Sequence, residues 1–120
     1  MTDDAGDSRD TAAPEAPAAD GGAPADADVL DDLFATIESR KETLPEGSYT
    51  ASLFTHEKGE NAVLEKLGEE TTEVLLAAKD DDVDELTHES ADLVYHLLVL
   101  LVMKDLTLAD LRAELARRFG

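Results

Sequence analysis

From Val29 onward, apolar residues recur every three or four positions, the spacing that lines one side of an α-helix. Val29, Leu30, Leu33, Phe34 and Ile37 predict a first helix, with Asp28 placed to cap it. Pro45 and Gly47 in "LPEGSYTASLF" turn the chain, and Ser48 or Thr50 can cap a short helical stretch ending near Phe54, before a "THEKGE" loop. A second long helix is expected from about Glu60 to Lys79. Its apolar face comprises Val63, Leu67, Thr71, Val74 and Ala78, with Leu64 and Leu75 at the edge. A third opens at Asp82, with Glu85 three residues on as in a capping box, and runs to about Lys104. Its second half, "LVYHLLVLLVMK", is apolar all round, which predicts burial on every side. A fourth begins at Thr107 and presents Leu108, Leu111, Leu115 and Phe119 to the core. No strand pattern competes. The expected fold is all-α, a helical bundle of four main helices per chain, completed by a second copy as a symmetric homodimer because one chain can hardly bury the third helix alone.

Residues 1–28 are largely Ala, Asp, Pro and Gly without Leu, Ile, Val or an aromatic residue, so they predict a disordered tail ahead of one domain at 29–120. The 29 acidic residues against 10 basic ones give a net charge of -19. Long-range repulsion from that charge opposes nucleic acid and anionic membranes as partners. A nucleotide would need bridging cations or well-placed Lys and Arg. The absence of cysteine excludes disulfides, thiolate metal sites and cysteine nucleophiles. The start lacks the basic and apolar regions of a secretory signal, and no continuous apolar run reaches the roughly 18 residues that span a bilayer, so a soluble cytoplasmic protein is expected.

The carboxylates are grouped as well as abundant. On the second helix Lys66, Glu69, Glu70 and Glu73 share a wedge of about 100° beside the apolar face. On the third, Glu85, Glu89, Asp92 and His96 lie on one stripe. A link as short as "DDD" makes these helices antiparallel neighbours, bringing Glu70 and Glu73 to the height of Glu89 and Asp92. Four converging carboxylates repel unless protons or hard divalent cations neutralise them. Oxygen donors without a thiolate favour Mg²⁺, with Mn²⁺ a second choice, over zinc. Glu60, Glu65, Asp80 and Asp81 read as solvated charge. Glu85 and His88 have the spacing of di-iron carboxylate bundles, but His88 lies about 100° around the helix from Glu89, which ranks that reading below magnesium. His96 sits within "YHLLVLL", where a hydrogen-bonded core role competes with a contact to substrate.

"EKLGEETTEVLLAAK" followed by "ELTHESADLVYHLLVLL" resembles phosphoribosyl-ATP pyrophosphohydrolase, an all-α family within the MazG-like nucleotide pyrophosphohydrolases. That superfamily's signature is E-E-x-x-E on one helix and E-x-x-D on the next, here Glu69, Glu70 and Glu73, then Glu89 and Asp92. The resemblance spans about Leu30 to Arg118, including "SYTASLF" and "LRAELARR", and leaves out the tail. It implies hydrolysis of the α–β phosphate bond of phosphoribosyl-ATP to phosphoribosyl-AMP and pyrophosphate, with Mg²⁺ held by the acidic residues. The family chain often occurs fused to the cyclohydrolase acting next, and the free-standing form is expected here.

On this reading Glu70, Glu73, Glu89 and Asp92 are metal ligands. Glu69 is a further ligand, the residue that orients the attacking water, or a solvated side chain. Lys66 is the first candidate to meet substrate phosphate, ahead of Lys58 and Lys79, and Ser48 or Thr50 could hydrogen-bond substrate if not used as helix caps. Two rival readings stand beside it: a MazG-like enzyme acting on other nucleoside triphosphates, and a non-catalytic acidic helical module.

An acidic surface with five lysines suits high-salt cytoplasm, where self-repulsion is screened. The melting temperature is therefore expected to rise when KCl increases from about 0.1 M to molar levels, where screening lengths shrink from about 10 Å to 3 Å. A flat or falling melting temperature in a salt series contradicts this.

Overall fold

A computed structural model describes residues 29–119, and the tail at 1–28, with the Asp28 cap, lies outside the described residues. Five helices make up the fold: α1 Val29–Thr43, α2 Tyr49–Phe54, α3 Glu60–Lys79, α4 Val83–Met103 and α5 Leu108–Phe119. No strand occurs among the described residues, so the all-α expectation holds, with α1, α3, α4 and α5 as its four main helices. The described residues divide between Ser52 and Leu53 into two compact units.

In the first unit α1 buries Phe34 and Ile37, three residues apart, while Asp31 and Glu38 stay exposed. Gly47 takes a φ of 81°, a left-handed value open to glycine without Cβ strain, and turns the chain towards α2. Ser48 caps that helix, its Oγ accepting from the Ala51 N–H at 3.0 Å. Thr50 and Ala51 are buried one and two residues later.

The second unit is organised by an antiparallel hairpin of α3 and α4, which pack along their lengths. Its tight turn has two chemical causes. Asp81 adopts a left-handed φ of 56°, and the N–H groups of Asp80, Asp81 and Asp82 return to the carbonyls of Leu76, Ala78 and Ala77. Asp82 then caps α4, accepting from the Glu85 N–H at 3.0 Å. At the far end Lys104 Nζ lies 2.8 Å from Glu60 Oε1, tying the finish of α4 to the start of α3. The α5 cap is reciprocal: Thr107 N–H donates to Asp110 Oδ2 and Asp110 N–H to Thr107 Oγ1.

Burial corrects the expectations for α3 and α5 and agrees with the one for α4, that a single chain can hardly bury it. The inward face of α3 carries Val63, Glu70 and Ala77, with Lys66 and Glu73 half-buried, while Thr71 and Ala78 are exposed and Leu75 is 61% exposed. The carboxylate wedge thus occupies the seam itself, and the sequence's apolar face is turned partly outward. α4 buries Tyr95, Leu98, Val99 and Val102, but Val94 is 40% and Leu97 37% exposed, so one chain does not cover it on every side. On α5 only Leu108 is buried; Leu115 is 50% and Phe119 83% exposed, because α5 has no extensive packing against α3 or α4.

By length and composition alone α4 could cross a membrane, a test that apolar core helices also pass. Its buried Glu89, Asp92 and His96, however, are those of a helix packed against another polar-seamed helix.

Candidate functional site

The hairpin sets the site by register. In an antiparallel pair, residues equally far from the turn stand at equal height, and around Asp81 this matches Glu73 with Glu89 and Glu70 with Asp92. Each lies on the seam because helical spacing of three or four keeps it on one stripe. Glu70, Glu89, Asp92 and His96 are all buried, and Glu89 is 0% exposed.

Ligand-type atoms gather in two groups, each with its atoms within 4.8 Å of one another: Glu73, Glu85 and Glu89, and His88, Glu89 and Asp92. Glu89 belongs to both, and neither of its carboxylate oxygens accepts a hydrogen bond. His88 Nε2 lies 3.4 Å from Asp92 Oδ2, one helical turn on. The angular separation of His88 from Glu89 therefore does not keep their ligand-type atoms apart: Asp92, four residues from His88 and three from Glu89, stands within 4.8 Å of both.

Glu70 stands beside these groups, outside both. Its Oε1 is 2.9 Å from His96 Nδ1, which is also 3.1 Å from the Asp92 carbonyl oxygen. A carbonyl only accepts, so Nδ1 carries the proton and donates to both oxygens. Burial pushes the Glu70 carboxyl above its usual range; the His96 hydrogen bond and charge pull it back in part, Asp92 adds to the rise, and Lys66 opposes it.

The other expected residues divide clearly. Glu69 is exposed on α3 and belongs to neither group. Lys66 is half-buried on the seam's edge, where its charge reaches Glu70. Lys58 is exposed and pairs with Glu65 at 3.0 Å, and Lys79 is exposed at the end of α3. Ser48 acts as a helix cap, and Thr50 is wholly buried, out of reach of a dissolved ligand in this structure. His96 is buried too, and its ring meets Glu70 where a substrate contact was one expectation. Glu85 and His88, expected as ligands only in the lower-ranked di-iron reading, stand with the seam's ligand-type atoms. Their signal was present in the four-residue steps from Glu85 to Glu89 and from His88 to Asp92.

The donor set fits a divalent cation. One group is oxygen-only, as hard ions prefer, and the other adds one imidazole nitrogen, which borderline ions accept. An acidic cluster that could bind a metal is therefore present.

A helical hairpin that sets E-x-x-E and E-x-x-D carboxylates opposite each other, three of the four buried, defines an all-α protein with an interhelical carboxylate site. Residues 30–119 match the family described as phosphoribosyl-ATP pyrophosphohydrolase, and the chain belongs to that family. A phosphoribosyl-ATP pyrophosphatase of Haloarcula marismortui is 78% identical over 91 residues, covering 76% of this chain and 93% of the relative. Another, from Natronomonas pharaonis, is 81% identical over 91 residues, 76% of this chain and 90% of the relative. The histidine biosynthesis bifunctional protein HisIE of Caldanaerobacter subterraneus is 50% identical over 92 residues, 77% of this chain and 44% of that longer protein.

A carboxyl raised in the folded state costs stability wherever it is ionised, above its folded value, and costs nothing below the unfolded reference of 4.5. Glu70→Gln, which keeps an acceptor for His96, is expected to raise the melting temperature of cation-free protein at pH 8. That gain should shrink towards zero below pH 4.5. Melts across this pH range check it; a Gln variant less stable at pH 8 than the parent contradicts the burial cost.

Proposed function

We propose that this chain hydrolyses the α–β phosphate bond of phosphoribosyl-ATP, giving phosphoribosyl-AMP and pyrophosphate, the second step of histidine biosynthesis, in the cytoplasm. The observation that carries the reading is the family match over residues 30–119, which contains every residue of the interhelical carboxylate site. It makes the chain an enzyme, and the non-catalytic acidic module is not retained.

Glu73, Glu89 and Asp92 would hold the cation, Mg²⁺ with Mn²⁺ able to replace it, Glu85 and His88 add donors at the same seam, and Glu70, buried beside these groups, would complete the set. Such a cation, when bound, neutralises phosphate charge and lowers the pKa of water. Phosphoryl transfer asks the protein chiefly to position groups and balance charge. Lys66, half-buried beside Glu70, is placed to meet substrate phosphate, and its cationic head answers the repulsion of a chain of net charge -19. Glu69, exposed one residue before Glu70, is able to accept a proton from an attacking water. Lys58, exposed just before α3 and paired with Glu65, and Lys79, exposed at its end, would guide the polyphosphate at longer range.

Incubation with Mg²⁺ and phosphoribosyl-ATP is expected to release pyrophosphate, and Glu89→Gln or Asp92→Asn should lower kcat/KM by about a hundredfold or more, as loss of transition-state charge stabilisation does. Release from ordinary dNTPs alone would favour the MazG-like alternative. No release from any nucleotide would contradict both.

The apolar residues left exposed on the hairpin support a homodimer: Leu64, Leu75 and Leu76 on α3, Val94 and Leu97 on α4. Light scattering should give twice the chain mass of 12.9 kDa, and Leu97→Glu should shift it towards monomer. A monomeric parent protein contradicts the pairing.

A further inference from the structure

His96 is 1% exposed, and the seam holds it by more than packing. Its Nδ1–H is shared between Glu70 Oε1 at 2.9 Å and the Asp92 carbonyl at 3.1 Å. The second of these bonds runs within α4, so the helix backbone dictates both the tautomer and the direction of the ring. Tyr95 meets the ring edge-on, centroids 4.8 Å apart, and is itself buried. A glutamate has three side-chain torsions and loses its fixed position easily. Glu70 has a donor anchored to the opposite helix at one of its two oxygens.

We infer that His96 is a positioning residue for Glu70, fixing that carboxylate through Nδ1–H so that it presents its other oxygen to a divalent cation. Groups behind metal ligands orient them in this way, and their loss typically costs about 10–100-fold in metal affinity or activity. The inference rests on the cation role proposed for Glu70. It gives the buried histidine a task distinct from substrate contact.

The test is direct Mn²⁺ binding to the full chain, read by electron paramagnetic resonance, with circular dichroism as the check on folding. His96→Leu keeps bulk and removes the donor; it should weaken Mn²⁺ binding by about 10–100-fold. His96→Asn places an amide NH₂ where Nδ1 was and should bind within about threefold of the parent, whereas His96→Gln, whose amide falls nearer Nε2, should behave as Leu does. If the Leu variant does not fold, the Asn and Gln pair supplies the same comparison. Adding His96→Leu to Glu70→Gln should weaken binding little further, because the histidine acts through the carboxylate. In turnover with Mg²⁺, His96→Leu should raise the Mg²⁺ concentration needed for half activation and leave KM for phosphoribosyl-ATP, at saturating Mg²⁺, nearly unchanged.

Parent-like Mn²⁺ binding by folded His96→Leu would overturn the inference, as would equal losses in the Asn and Leu variants or fully additive losses with Glu70→Gln. A rise in KM with unchanged Mg²⁺ activation would return His96 to substrate contact. Should the parent bind Mn²⁺ with the expected variant pattern yet release no pyrophosphate, the proposed reaction fails and the positioning role stands.

Discussion

The structure depends on pressing acidic side chains into the seam between two helices. Glu70 and Glu73 on α3 meet Glu89 and Asp92 on α4 at matching heights, and the most enclosed of them, Glu89, belongs to both groups of ligand-type atoms. Apolar side chains at those positions would stabilise the hairpin more, since a buried carboxylate gives up hydration that its neighbours only partly replace. A protein carries such a cost where the group has work to do. Here the proposed work is to hold a divalent cation for a phosphate chain.

Much of this was legible in the sequence because helical periodicity and short loops are local properties. Asp82 and Ser48 cap helices as their side chains suggest, and the limits of α3 fall at Glu60 and Lys79 as expected. The facing of the two acidic motifs followed from one antiparallel turn. What escaped was finer: the direction of burial on α3 is rotated towards the carboxylates, because α4 packs on the wedge and leaves Thr71 and Ala78 outside. A helical wheel gives the width of an apolar face without saying which neighbour takes it. Leu115 and Phe119 show the same limit on α5.

The site was legible as motif and less so as contacts. His88 seemed angularly wrong for Glu89, yet a side chain that leans one turn along its helix reaches Asp92. His96 could be read from "YHLLVLL" as core or as function; it is buried like a core residue and hydrogen-bonded to an acidic one. Ser48 was open between cap and ligand, and the Ala51 N–H takes its hydroxyl oxygen. The family match then connects these contacts to one class of chemistry that periodicity alone could not name.

Net charge, the acidic seam and the partly uncovered faces of α3 and α4 bear on one balance. A chain of net charge -19 resists compaction, and three of its carboxylates, Glu70, Glu89 and Asp92, are buried in the seam. A bound cation would relieve that strain in the folded state alone. The most direct measurement is the melting temperature of the protein as Mn²⁺ is raised, compared with Glu89→Gln over the same series. The account predicts a rise that grows with the logarithm of Mn²⁺ concentration once the site fills, and a much smaller one in the variant. A parent protein indifferent to Mn²⁺, or a variant that responds equally, would contradict it.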